Sequence, residues 1–300
     1  MNTQFVSHIL AKYKEQGQVW LDTIPQLISK YEKAWEIKAH HPFVLSYNYV
    51  APVTCRDGSP AVLKIGFPQD KEFYSEMEML RMSEGEGMVT LLRFASLDAV
   101  ALIEQCLPGK SLRTVDETTA VTQAIKLMQE IWKPVPAPHT FPHIKDWGKG
   151  FTRIKTLFPG TACPIPKLLL DKGEKLFGEF CSSLTEEVLL HGDLHQDNIL
   201  SSGRELWLAI DPKGVIGEKA YETGIWLRNP FPDIVKDPNA TQILKLRVER
   251  FADGLSLDKQ RILGWGFAQA VLSAIWVVED RQQYLDYYLA CAQLLHDLRL

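Results

Sequence analysis

The feature that most constrains this chain is a ten-residue run, HGDLHQDNIL (His191–Leu200), followed closely by AIDPKG (Ala209–Gly214). Asp193 is followed at the fifth position by Asn198. The residues from Ile199 to Ile210 then read as a hairpin. Leu206, Leu208 and Ile210 alternate with Trp207 and Ala209, and Ser202-Gly203 turns the chain back. Asp211 stands at the far end of that hairpin. Such a run can be a metal cluster, a phosphate-handling loop or a solvated turn.

A metal cluster needs more ligands than the run supplies. His191, Asp193 and His195 alternate, but a zinc-type site needs further His or carboxylate ligands at workable positions. The remaining histidines, His8, His40, His41, His139, His143 and His296, form no second cluster. The phosphate reading makes demands that the chain meets. Two-lobed kinases place a catalytic Asp five residues before an Asn, in a loop ahead of a β-hairpin, with a metal-binding Asp after it. The loop is expected to return Asn198 to the cleft beside Asp193, and the hairpin to deliver Asp211 to the same phosphates. An amide oxygen and a carboxylate suit Mg²⁺, which prefers oxygen ligands.

Composition narrows the class. The 300 residues are 46% hydrophobic and 23% charged, ordinary for a soluble globular protein. The net charge of −4 comes without a basic stripe, which argues against a nucleic-acid partner. Cys55, Cys106, Cys163, Cys181 and Cys291 are odd in number, far apart and never in a C-x-x-C pair. That spacing speaks against a disulfide framework and for a reducing compartment. MNTQFVSHILAKYKEQG has no cleavable signal pattern, and the apolar run Trp265–Val278 reads as too short to span a bilayer. A cytoplasmic protein with no membrane or nucleic-acid partner is expected; the oligomeric state is not readable.

The first forty residues read as helical, with apolar positions at Phe5, Ile9, Leu10, Trp20, Ile24, Leu27 and Ile28. FVLSYNYVAPVT and PAVLKIG are β-rich runs joined through Asp57-Gly58, a hairpin signal. Phe73, Met77 and Leu80 then mark an amphipathic helix ended by Gly85 and Gly87. MVTLLRFA and AVALIEQCL read as two further strands. Beyond Pro108-Gly109 the pattern is helical, interrupted by the one β-island at 199–210. The expected architecture is α+β: a small β-rich first lobe, residues 1–107 with a helical extension over 1–40, and a larger helical second lobe, residues 108–300.

Lys64 lies inside the apolar run PAVLKIG, where an unpaired ammonium is costly. Glu76 shares the inward face of the next helix with Phe73 and Leu80, and is the expected partner. Glu72 is the reserve, and Glu78 is rotated away.

These segments together resemble the aminoglycoside phosphotransferase superfamily of protein-kinase-like enzymes. IDPKGVIG looks most like the branch of streptomycin 6-kinases and hydroxyurea-type antibiotic resistance kinases. YVAPVTCRDGSPAVLKIG, EMEMLRMSEGEGMVTLL, ALIEQCLPGKSL and GWGFAQAVLSAIWVVED support the likeness in the right order, over roughly residues 45–285. The resemblance implies an ATP-dependent kinase of a small-molecule hydroxyl acceptor. Asp193 would accept or orient the acceptor proton. Asn198 and Asp211 would hold Mg²⁺ on the ATP phosphates. Lys64 would contact the α- and β-phosphates, held by Glu76, and the main chain of Gln105 and Leu107 would bind adenine. His191 is expected to brace the loop, and His195 to be structural.

Two departures stand out. No G-x-G-x-x-G is present, and LSYNYVAP takes its place. Asp197 stands where the family often has a small residue; a solvent-facing carboxylate is expected there. Tyr221, Glu222, Glu279, Asp280 and Asp286 are candidates for an acceptor surface that would suit a polycationic sugar. Trp265, Ala268, Val271, Leu272 and Trp276 read as core. The acceptor stays open: an aminoglycoside such as streptomycin, a metabolic alcohol or a hydroxylamine. A nucleotide-binding protein without transfer activity is the reading from another class. No APE-like end follows IDPKG, which argues against a protein kinase.

Overall fold

The computed structural model describes residues 3–159, 162–184, 186–280 and 283–300. The chain divides into two units, one of Met1–Gly109 with Ser201–Leu208, the other of Lys110–Leu200 with Ala209–Leu300.

The first unit opens with α1 (Thr3–Trp35), two helices merged across a break at Lys14, whose φ is 53°. The break brings the two arms together. A Cβ at Gly17 would stand 2.8 Å from the Ile9 carbonyl oxygen, a position only glycine fills. Strands β1 (Ile37–Ala39), β2 (Tyr49–Cys55) and β3 (Pro60–Ile65) follow, then α2 (Lys71–Ser83), β4 (Leu91–Ala95) and β5 (Val100–Glu104). They form an antiparallel sheet in the order β1-β2-β3-β5-β4. The expected Asp57-Gly58 turn joins β2 to β3, with Gly58 at φ 84°.

The two faces of β3 do different things. Ala61, Leu63 and Ile65 join Phe5, Ile9, Trp20 and Ile24 of α1 in one apolar cluster. Strand alternation therefore turns Val62 and Lys64 to the opposite face. Both are buried as well, so β3 carries no polar edge and reads as a central strand.

Strand β6 (Pro108–Ser111) leads from one unit to the other. The second unit contains α3 (Glu117–Ile131), β7 (Lys133–Pro134), α4 (Ile144–Gly148), α5 (Gly150–Leu157) and α6 (Lys167–Ser182). Then come β8 (Val188–Leu190), the hairpin of β9 (Ile199–Ser202) and β10 (Trp207–Ala209), whose tip Ser201–Leu208 belongs to the first unit, β11 (Val215–Gly217), α7 (Lys219–Trp226), α8 (Ala240–Leu255), α9 (Lys259–Glu279) and α10 (Leu285–Asp297). The β-island at 199–210 is therefore not alone. β8 pairs antiparallel with β11 on one side and β7 on the other. Every residue of β8 and β11 is buried. A three-residue strand buried on both faces has no polar/apolar alternation, so its sequence carries no period to read.

Helix α9 is the axis of this unit. Every residue from Trp265 to Ile275 is buried. At 21 residues it is long and apolar enough to cross a membrane by length and composition, which corrects the shorter reading of Trp265–Val278. Its most apolar window is 83% buried against the protein's own helices, as in a core helix. Trp265, Ala268, Val271 and Leu272 are core residues. Trp276 remains partly exposed and packs edge-on against Trp147.

Candidate active site

Buried β8 delivers the chain into the loop at His191, which is itself 0% exposed. His191 Nε2 lies 2.9 Å from the Ile210 carbonyl oxygen, and Nδ1 accepts from the Asp193 N–H at 3.2 Å. Burial pushes the imidazole down to about 4, so the ring is neutral and its two nitrogens serve as one donor and one acceptor. The His191 carbonyl accepts from Lys213 N and Gly214 N at 2.7 and 3.2 Å. One residue thus ties the loop to both ends of IDPKG.

Gly192 turns the chain with φ 82°, in the left-handed region. A Cβ there would meet Val215 at 2.8 Å and both Lys213 and Trp147 at 3.1 Å. Close packing and the positive φ both demand glycine. The Gly192 N–H points at Glu222 of α7, lying 3.0 and 3.2 Å from its two carboxylate oxygens. Glu222 is completely buried. Burial pushes its carboxyl up to about 7, opposed by hydrogen bonds from the backbone of Gly192, Leu194 and His191. The residues on either side of Asp193 therefore hang from one buried carboxylate. Asp193 itself projects its side chain with 31% exposure.

Glu222 implies a pH dependence. Its carboxyl keeps a proton in the folded chain at pH values where the unfolded chain, at the ordinary 4.5, has released it. Its contribution to stability is full below about 4.5, falls as pH rises and is gone above about 7. Urea unfolding between pH 5 and 8 is expected to show this downward slope in the native chain and a flatter profile in Glu222→Gln. Equal slopes would show that Glu222 does not titrate in that window.

Asn198 ends a short 3₁₀ turn, Gln196–Asn198. Its Nδ2 donates to the Asp193 carbonyl oxygen at 3.0 Å, and its own carbonyl accepts from Ile210 N at 2.9 Å. The amide nitrogen is thus committed, and the amide oxygen is the side chain's remaining polar atom. The Asn198–Ile210 bond closes the base of the hairpin and brings Asp211 out beside it. Asp211 adopts φ 56°, a conformation that costs a non-glycine residue about 1–2 kcal/mol. Strain of this kind concentrates at functional positions. Asn198 and Asp211 offer hard oxygen donors. Among the described residues no group of three or more His, Cys, Asp or Glu side chains could hold a metal ion. That donor set fits a cation arriving with phosphate oxygens and water, and not an all-protein cage.

Asp197 does not simply face solvent. It pairs with Arg113 and accepts from Ser111 Oγ at 3.1 Å; Arg113 also reaches Asp233 at 3.1 Å. His195 Nδ1 accepts from Asp197 N at 3.3 Å, capping the 3₁₀ turn.

In the first unit Lys64 Nζ and Glu76 Oε1 lie 2.5 Å apart, both side chains buried. Helix α2 orients Glu76: Asp70 caps it through the Glu72 N–H at 3.1 Å, and Phe73, Met77 and Leu80 bury the same face. Glu72 is exposed, and Glu78 bonds Arg81 at 2.6 and 2.9 Å. Gln105 and Leu107 lie past Ala61–Glu104, the last registered pair of β3 and β5. Glu104 is clamped by Thr90 and Arg204, each at 3.0 Å, which fixes the exit of β5.

The proposed acceptor surface needs correction. Tyr221 and Glu222 are completely or nearly completely buried and face the loop's underside and the core. Glu279 is engaged by Arg153 at 2.8 and 2.9 Å. Asp280 and Asp286 are exposed. Missed altogether is Arg228, whose Nη2 lies 3.9 Å from Asp193 Oδ1. It belongs to no motif, and only the return of the chain after α7 brings it there. A cavity of about 550 Å³ between α6, α9 and α10 shares none of these residues.

A small antiparallel sheet with a paired Lys and Glu, and a helical unit carrying an Asp-x₄-Asn loop and a following Asp, define a protein-kinase-like phosphotransferase. A choline kinase from Streptococcus pneumoniae shares the fold, with TM-score 0.61 at 11% identity over 92% of this chain and 98% of that one. Residues 40–281 match the family described as aminoglycoside/hydroxyurea antibiotic resistance kinase, and the chain belongs to that family. It is 28% identical to a streptomycin 6-kinase of Streptomyces glaucescens, over 91% of this chain and 89% of that one. It is also 28% identical to a hydroxyurea phosphotransferase of Kitasatospora aureofaciens, over 93% and 81%. The chain is a phosphotransferase with a hydroxyl acceptor.

Proposed function

We propose that this enzyme transfers the γ-phosphoryl group of ATP, with Mg²⁺, to a hydroxyl of an aminoglycoside-type acceptor such as streptomycin. The observation that carries the chemistry is the construction of the loop. Asp193 projects from backbone suspended on Glu222, and Asn198 is locked to its carbonyl. In this reading Asp193 accepts the acceptor proton, and Asn198 and Asp211 are the metal ligands. Lys64, held by Glu76, binds the α- and β-phosphates, and the main chain of Gln105 and Leu107 holds adenine. Bound Mg²⁺ would neutralise charge on the phosphates. Five free cysteines accord with a reducing, cytoplasmic setting.

Streptomycin comes from the relatives' activity. A hydroxylamine acceptor such as hydroxyurea is favoured by a specific observation: Glu222 and Glu279 are committed elsewhere, and the charged side chain beside Asp193 is the cation Arg228. An assay of ADP release over streptomycin, hydroxyurea and small alcohols, with Asp193→Asn as control, separates these. Release driven by streptomycin supports the first acceptor, and release driven only by hydroxyurea the second. No acceptor-dependent release, or release undiminished in the variant, sinks the reading.

A further inference from the structure

Arg228 sits in the turn after α7, and its side chain is 14% exposed. Its Nε is buried with no hydrogen-bond partner. Among the described residues the contact with Asp193 at 3.9 Å is its one ion pair. A charge-assisted N–H···O bond is shorter, about 2.7–2.9 Å. A guanidinium carries five N–H donors in a fixed fork, and buried donors are normally satisfied. Here they are not.

Five titratable neighbours supply no alternative anion. Tyr221, Tyr287, Tyr288, Cys291 and His195 all lie close enough to feel the guanidinium charge. Burial raises the tyrosines and the thiol and lowers the imidazole, so all five are neutral near pH 7. The mount is rigid. Arg247, 1% exposed, donates to the carbonyls of Trp226 (2.6 Å) and Asn229, and pairs with Glu117 at 2.6 Å. Asn229 Nδ2 donates to Ile225 O at 2.9 Å, and the Tyr287 hydroxyl donates to the Arg228 carbonyl. An arginine held this firmly, with its buried Nε unpartnered and its Nη2 3.9 Å from Asp193, is preorganised for an anion that arrives during turnover.

We propose that Arg228 is a catalytic residue that donates hydrogen bonds to the non-bridging oxygens of the phosphoryl group as it passes to the acceptor oxygen at Asp193. The inference rests on the phosphotransfer reading above. In the step, the bond from phosphorus to the β-phosphate oxygen of ADP breaks and the bond to the acceptor oxygen forms. The acceptor proton passes to Asp193, and Arg228 keeps its own protons throughout.

The test compares the native enzyme with Arg228→Gln and Arg228→Lys. The Gln variant is expected to lose kcat by about 10²–10³-fold, with KM for ATP and acceptor little changed, and the Lys variant to lose less. Binding of ADP with aluminium fluoride and Mg²⁺, a mimic of the phosphoryl group in flight, should weaken by a similar factor in the Gln variant. Binding of ADP alone should not change, which also shows that the variant folds. Undiminished aluminium fluoride binding, an unchanged kcat, or an effect confined to the acceptor KM overturns the proposal. Failure of the native enzyme to transfer phosphate to any acceptor sinks instead the reading on which it rests.

Discussion

Asp193→Asn is expected to lower kcat on the order of 10²–10⁴-fold while leaving nucleotide binding intact. The side chain projects from the loop, and its neighbours' hydrogen bonds run through backbone atoms, so an isosteric amide leaves the loop in place. Asp193 N still donates to His191 Nδ1, Asn198 still donates to the Asp193 carbonyl, and Glu222 still accepts from Gly192. What goes, in the proposed mechanism, is the carboxylate that takes the acceptor's proton, a function worth about 10²–10⁴ in rate. Steady-state kinetics beside a nucleotide-binding titration check this. A variant that turns over at the native rate would show that Asp193 is not the proton acceptor.

The second large effect is on stability. Lys64→Met removes one partner of an ion pair whose side chains are 3% and 7% exposed. It takes the ammonium away from the buried Glu76 carboxylate, and breaking such a pair costs about 3–5 kcal/mol. Urea unfolding should show that loss. Lys64→Met with Glu76→Leu should recover much of it, because two apolar side chains of similar volume replace the pair without stranding a charge. Recovered stability without recovered activity would separate the structural part of the pair from its proposed contact with phosphate. If the single variant is as stable as the native chain, the pair is not buried as described.

How much of this was legible depends on the range over which each signal acts. The Asp193, Asn198 and Asp211 series is local, spaced by one loop and one hairpin, and could be read along the chain. The Lys64–Glu76 pair was legible too. The apolar run PAVLKIG placed Lys64 inside a strand, and period 3.6 put Glu76, not Glu78, on the inward face. β8 and β11 were not legible, because three buried residues carry no alternation. Glu222 was misread as an acceptor-surface carboxylate. Its neighbours along the chain do not reveal that α7 carries it under the loop, where the N–H of Gly192 waits for an acceptor. Asp197 was misread for a similar reason, since Arg113 and Ser111 come from far upstream.

The sequence by itself determined the class of chemistry and the order of the parts. Residue type and spacing decide which groups can handle a phosphoryl transfer, and spacing survives without coordinates. Only the tertiary structure decided what each acidic or basic side chain is for. Burial and partner are long-range properties. Glu222 became the support of the loop because it is enclosed with backbone donors aimed at it. Arg228 became a charge beside Asp193 because the turn after α7, cinched by Arg247, returns it there with its Nε unpartnered.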